Sequence, residues 1–425
     1  MRATPPLFTP ATRGITQPHP ARVALRASGP IVRVDAPAGG PAWIVTDDAV
    51  ARAVLTDPRI VKDPAFAPPT WTRSTAGLEP TAAEQPSLTT LDGPEHARLR
   101  KAHAPLLSAK RMAAYSDRVH EIARRLLADA AAGAAASGVS AGGAVTGGAA
   151  ADASQADAGP TIDLMADFTT RYPLTVLLDL LGIPPHHVDQ ATAACRQMLG
   201  DAAEQGQAIA ALRALADAGL TDTHQHAATE PRGPQDQATG PRGYRGLADE
   251  LRARMPAGTS ADDLSYHLFA LIFAGQLTTD AALGFLVART LTDDAPVDTL
   301  VQLTLREHPP APFTLWRFTT TDVRIGDEHL PARSPVLVDI EGINTDPVRA
   351  SGPDLTFGAG HHFCVGARLA LLELTALATV LRGDYPDARL AVPYAELRRV
   401  DRGGTQGTRL AALPVRLGPG ASPGR

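Results

Sequence analysis

Two cysteines stand in the chain, Cys195 and Cys364, and their surroundings differ. Cys195 lies in the run Ala193-Ala194-Cys195-Arg196-Gln197-Met198, where a small buried hydrophobe on a helix is the expected part. Cys364 ends the run Phe357-Gly358-Ala359-Gly360-His361-His362-Phe363-Cys364 and is followed by Val365-Gly366. Glycines at 358, 360 and 366 let a tight loop pass close to a flat ligand. An apolar helix starting after Cys364 would direct amide N–H groups at the sulfur, favouring the thiolate, which is the form that binds metal. Two further groups could serve such a site. His96 and Arg100 are four residues apart, hence on one helix face, and would suit a buried carboxylate. Taken alone, such a pair is more often solvated. Thr278 lies in Phe273-Ala274-Gly275-Gln276-Leu277-Thr278-Thr279, within a long apolar run. Its hydroxyl would either bond back to its own helix or hold a water that passes protons.

Residues 357–366 carry Phe-Gly-x-Gly-x-His-x-Cys-x-Gly at every fixed position, and in this the chain resembles the cytochrome P450 family. The resemblance runs from a hairpin near Ile31 to a strand near Leu413-Pro414-Val415. It implies a mainly α fold with small β-sheets, a single large haem domain over residues 1–425, and heme b (iron protoporphyrin IX) as cofactor. Cys364 would ligate the iron, within a loop shaped by Phe357, Gly358 and Gly366. His96, Arg100, Arg317 and His362 would reach the haem propionates. Ala274, Gly275 and Thr278 would form the distal oxygen site, Gly275 by letting the helix approach oxygen. A thiolate ligand pushes electron density onto iron and favours O–O cleavage, so the implied chemistry is oxygen activation. By the same resemblance the pocket walls come from 64–91, with Trp71 and Leu88, and from 188–199, 269–277 and 311–315. Arg98, Arg100, Lys101, Lys110, Arg111 and Arg368 form a basic face; such a face is usually only solvated, but in this family it receives an acidic ferredoxin.

The chain departs from the family pattern in two places. The acid that normally precedes the distal threonine is Leu277, so protons need another route. Three residues before Arg306, where the family's Glu-x-x-Arg motif has its glutamate, stands Leu303. In the family that glutamate pairs with its arginine and with a second arginine from a meander ahead of the cysteine loop. Only nine residues separate Pro347 from Phe357, so the meander is truncated as well. Arg306 is left to find a partner, with Asp346, Asp354 and Glu307 as the candidates.

The elements that must position these groups follow from pattern. Ile31-Val32-Arg33-Val34 and Ala42-Trp43-Ile44-Val45-Thr46, separated by Pro37, Gly39, Gly40 and Pro41, predict a hairpin. Asp47-Asp48 caps a helix over 49–55, and residues 64–91 read as a long loop. Helices are expected over 94–104 and 111–132. The second runs into Gly133 and an Ala/Gly/Ser tract, 133–159, which reads as a flexible insertion with too little apolar surface to offset chain entropy. A helical segment over 174–181 ends at Gly182-Ile183-Pro184, and 221–245 reads as a polar loop. Ser260-Ala261-Asp262-Asp263 caps a long core helix over 264–291, with another helix over 301–308 and strands at 321–325 and 336–340.

Composition narrows the function. The 425 residues are 44% hydrophobic and 20% charged, ordinary for a globular enzyme. A net charge of -5 gives no basic field for nucleic acid. No basic-then-apolar N-terminal leader and no uninterrupted apolar run of the length of a membrane span is present, so no membrane partner and a cytoplasmic location are expected. The leading expectation is an oxygen-dependent monooxygenase acting on a small organic or peptide-like metabolite, with electrons from a ferredoxin and ferredoxin reductase. Leu277 raises a second, oxidative ring coupling or peroxide-driven chemistry. The missing glutamate raises a third, a non-catalytic haem or carrier-recruiting protein.

Overall fold

The computed structural model describes residues 7–72, 86–137, 160–166, 168–198, 202–229, 246–349, 352–403 and 407–418, without the side chains of 136–137, 202 and 221–229. Twelve α-helices are found among them: α1 (Pro20–Ser28), α2 (Asp48–Thr56), α3 (Gly93–His103), α4 (Ala109–Ser137), α5 (Phe168–Leu181), α6 (Val188–Gln197), α7 (Ala202–Thr229), α8 (Leu247–Arg254), α9 (Ala261–Thr290), α10 (Val297–Glu307), α11 (Ile340–Asn344) and α12 (Ala367–Asp384). The β-structure is small. Its largest sheet has five strands in the order Ile31–Asp35, Pro41–Val45, Pro335–Val338, Arg317–Thr319 and Ile60–Val61.

Local chemistry starts and stops the elements where the expected signals lie. Asp47 accepts the Val50 amide at the head of α2, and Ser260 accepts the Asp263 amide at the head of α9. The predicted hairpin forms with Ile31 opposite Val45. Several boundaries move. The helix expected over 111–132 continues through Gly133 to Ser137, an Ala-rich stretch with good helix propensity; the rest of the 133–159 insertion lies outside the described residues. The expected 221–245 loop is helical as far as Thr229, and 230–245 again lies outside the described residues. The strand expected over 336–340 stops at Val338, because Asp339 caps α11 by accepting the Gly342 amide. The strand expected at 321–325 keeps only Val323–Ile325.

The main core lies between helices. α9 is packed by α5, α7, α10 and α12, so its thirty residues, apolar enough by length and composition to cross a membrane, are the central pillar of this core. Two smaller apolar clusters form on the five-stranded sheet. The loop carrying Cys364 leads directly into α12, which crosses α9. That crossing holds the cysteine beneath the middle of the long helix.

Candidate active site

A cavity of about 380 Å³ opens between α9, the start of α12, α3 and the sheet. Among its walls are Cys364, Phe357, Gly358, Gly366, His96, Arg100, Arg317, His362, Ala274, Gly275 and Thr278. Residues spread over nearly three hundred positions are thus brought to one space. Cys364 opens onto it, its amide donating to Phe357 O at 2.9 Å. Gly358 and Gly360 turn the loop with φ of 74° and 71°. A side chain at Gly360 would also strike Thr56 and the Leu55 carbonyl, so the loop leans tightly on α2.

Opposing influences act on the sulfur. Burial pushes the Cys364 thiol up, while the Gly366 and Ala367 amides and the cations Lys62 and Arg100 pull it down without prevailing. The amides at the start of α12 act in the expected direction, toward thiolate, against the larger effect of burial. A bound metal must complete the ionisation.

One edge of the cavity is rich in donors. The His96 and His362 rings lie with centroids 4.1 Å apart and tilted by 47°, and the Arg100 guanidinium donates to Phe363 O at 2.6 Å. His362 Nε2 lies 2.8 Å from Asp92 Oδ1. Lys62, which was not singled out in the sequence, joins this edge. Its pKa is lowered to about 7 by burial and then by Arg317. Asp92, the carboxylate here, has a pKa of about 2, because His362, the Lys62 amide and Arg317 outweigh the effect of burial. His96 Nε2, His362 Nδ1 and Arg317 Nε are buried without a hydrogen-bond partner. Orphaned donors and surplus cations of this kind are what a buried dicarboxylate satisfies. The residues present fit a haem whose propionates lie at this edge and whose iron faces Cys364.

Across the cavity, Ala274, Gly275 and Thr278 line α9. The Thr278 hydroxyl donates back to Ala274 O at 2.7 Å, and the residue lines the cavity. Gly275 has a packing role as well: a side chain there would meet Leu177 of α5 at about 3.0 Å. The expected walls need correction. Leu88, Ala311, Thr314 and Leu315 do line the cavity, but α6 does not. Leu177, Leu180, Leu181 and Leu247 take that place, and Trp71 packs instead on Trp316 and Phe318. A larger polar cleft of about 770 Å³ lies by α1 and α11, away from Cys364, and is walled by charges that already pair with one another.

Arg306 is exposed, so no buried charge is stranded. None of its three candidate partners takes it: Glu307 pairs with Arg289, Asp346 lies 3.8 Å from Arg26, and Asp354 accepts the Thr356 amide. Its Nε donates to Asn344 O at 3.0 Å. Asn344, fully buried, also accepts the Leu355 amide at 2.8 Å and donates to Thr356 Oγ1 at 3.0 Å. Thr356 Oγ1 in turn donates to Leu305 O at 2.9 Å. An uncharged hub ties α10 to the cysteine loop in a chain that lacks the ion-pair motif.

No family model matches the chain. Its curated relatives include the cytochrome P-450 monooxygenase DoxA of Streptomyces sp. (strain C5), 39% identical with 93% of each chain covered. The vitamin D(3) 25-hydroxylase of Pseudonocardia autotrophica is 30% identical, with 95% of this chain and 94% of the relative covered. Among solved structures, cytochrome P450 MoxA from Nonomuraea recticatena superposes with a TM-score of 0.73 at 25% identity, covering 94% of this chain and 96% of its own. CYP154A1 from Streptomyces coelicolor A3(2) gives 0.72 at 25%, covering 93% and 96%. With the signature loop, the cavity and these relatives in agreement, the chain belongs to the cytochrome P450 family and is a haem monooxygenase.

Proposed function

We propose that the chain binds heme b with Cys364 as the iron ligand and hydroxylates a small, largely apolar metabolite, taking electrons from a ferredoxin and its reductase in the cytoplasm. The observation that carries this is the convergence of Cys364 and the orphaned donors His96, His362 and Arg317 on one apolar cavity. When bound, the haem supplies oxygen activation: one oxygen atom enters a C–H bond, the other leaves as water, and two electrons and two protons are taken up. The chain's residues bind and orient. Lys62, His96, Arg100, Arg317 and His362 hold the propionates, and the leucines of α5 with Leu247 and Leu271 exclude water from the substrate side. Thr278, its hydroxyl proton engaged by Ala274 O, offers its lone pairs to a water over the oxygen site. The test is the carbon monoxide difference spectrum of the reduced, hemin-reconstituted protein. The red-shifted Soret band of a thiolate-ligated haem is expected for the wild type and its loss for Cys364→Ala; a variant that keeps the band would move the ligand elsewhere. Thr278→Ala is expected to keep the band but divert oxygen into hydrogen peroxide, read as product formed per oxygen consumed.

Leu277 favours a second reading, peroxide-driven or ring-coupling oxidation, which asks less of a proton relay. Turnover with hydrogen peroxide and no reductase, matching the ferredoxin-driven rate, would select it.

A further inference from the structure

Two histidines that the haem does not account for interrupt the leucine wall of the cavity. His103, the last residue of α3, and His267 of α9 both line it, 2% and 5% exposed, with ring centroids 5.1 Å apart and edge to face. Leu107, four residues after His103, and Leu271, one turn after His267, line the same wall. His103 Nδ1 lies 2.8 Å from Leu99 O. A carbonyl only accepts, so Nδ1 carries the proton and Nε2 of the neutral ring is left as an acceptor. Among the described residues no side chain or backbone group bonds Nε2 of His103 or either ring nitrogen of His267. None of the three is among the fully buried unpartnered atoms either, so their hydrogen-bonding capacity is open to the cavity. Buried polar groups placed by packing alone are bonded within the protein, and a leucine would fill the space at lower cost.

We propose that His103 and His267 set substrate choice by holding two oxygens on adjacent carbons: His103 Nε2 accepts from a substrate hydroxyl, and the His267 N–H donates to the neighbouring carbonyl or hydroxyl oxygen. The proposal deepens the haem monooxygenase reading and rests on it. Rings this close suit oxygens on adjacent carbons better than oxygens far apart. Both rings are neutral near pH 7. Burial lowers the pKa of each, that of His267 to about 4, where His103 adds to the effect and Asp263 opposes it. The pair therefore offers hydrogen bonds rather than charge, and the substrate class is a neutral, mostly apolar molecule with one vicinal oxygen pair. His267 stands seven residues before Ala274, two turns along the same face of α9. The held oxygens thus sit about 10 Å along the helix from the oxygen site, and the oxidised C–H lies at that remove from them. Neither histidine takes part in the chemistry. A ligand lacking either oxygen leaves a buried nitrogen unpaired, which is how such a site discriminates strongly.

The test uses the haem-loaded protein and diphenyl probes that differ only in their oxygens: benzoin with a hydroxyl beside a carbonyl, deoxybenzoin with the carbonyl alone, and bibenzyl with neither. Equilibrium dialysis is expected to show each oxygen tightening binding, benzoin over deoxybenzoin and deoxybenzoin over bibenzyl, by about tenfold a step. His103→Phe keeps the ring and loses the acceptor, so it is expected to erase the advantage of benzoin over deoxybenzoin and to leave deoxybenzoin binding intact. His267→Phe is expected to erase the advantage of deoxybenzoin over bibenzyl. Bibenzyl affinity, unchanged in both, reports an intact cavity. Equal affinities for the probes in the wild type would overturn the proposal, as would a phenylalanine variant that keeps both steps. Should either variant fail to retain haem, the leucine variant at that position takes its place with the same pattern expected. The carbon monoxide spectrum keeps the two readings apart. A wild type without the thiolate band overturns the haem reading itself, whereas the band without the affinity steps overturns the assignment of His103 and His267 alone.

Discussion

At the scale of single residues, Lys62 has the clearest consequence. A lysine with a pKa near 7 in the haem-free protein carries only part of its charge at neutral pH, because burial and Arg317 oppose protonation. Propionates would restore that charge, so haem binding takes up a proton at Lys62. The apparent affinity for hemin is therefore expected to fall as pH rises above about 7, and Lys62→Met should flatten that slope and weaken binding about tenfold, the effect of one charge-assisted hydrogen bond of about 1.5 kcal/mol. Hemin titration across pH measures both. Glu373 and Lys62 share a lesson about legibility. The signature around Cys364 could be recognised because its residue types and spacing are unusual, whereas a glutamate and a lysine look like solvated surface until packing buries them. Glu373 is turned inward where α12 packs on α4 and α9, its Oε2 3.2 Å from Thr279 Oγ1 of α9, and these are long-range contacts.

At the scale of elements, the join between α10 and the cysteine loop is the departure with a measurable effect. Removing the Asn344 side chain leaves the Leu355 amide and the Thr356 hydroxyl short of partners. Asn344→Ala is expected to lower stability by about 1–3 kcal/mol and to speed loss of the thiolate band in the carbon monoxide complex. Urea titration reads the first, timed spectra the second. Restoring the family's glutamate with Leu303→Glu should gain no more than about 0.5 kcal/mol, because it would form an exposed pair with Arg306. The absence of the glutamate was plain from residue 303; the compensation was not, since Asn344 makes its bonds to segments close in space but dispersed in sequence. Helix starts were legible because a cap acts over three residues, as at Asp47 and Ser260. Helix ends at 137 and 229 were not, because alanine-rich and polar residues continue a helix as readily as they leave one.

At the scale of the whole molecule, a buried ionic network joins the N-terminal segment to the C-terminal strands. Arg22 of α1 pairs with Asp339 and Glu341; Arg399 lies 2.8 Å from Glu341, and Arg13 lies 2.6 Å from Asp401. Glu341→Gln leaves Arg22 with Asp339 and Arg399 with Asp401 at 3.5 Å, and is expected to cost up to about 3 kcal/mol in urea unfolding. Its pH signature follows. Burial would raise the Glu341 pKa, but Arg22 and Arg399 hold it down at about 2, below its unfolded value of 4.5, so its contribution is full above pH 4.5 and lost as pH falls toward 2. His308, lowered to about 3 by burial and Arg399, is neutral in the fold, and the stability it confers is lost as pH falls from 6.5 toward 3. Acid destabilisation should begin near pH 6.5 and steepen below 4.5, and Glu341→Gln should make the steeper limb shallower, with Asp92 still contributing to it. The layout of the cavity also bears on engineering. Cys364 lies on the loop before α12 and Ala274, Gly275 and Thr278 on α9, while Ser87, Leu88 and Thr89 on one loop and Ala311, Thr314 and Leu315 on another form much of the remaining wall. A chimaera that imports those two loops from a relative with another substrate would change selectivity while leaving Cys364 in register, so crossovers at the loop edges offer a modular route to new products.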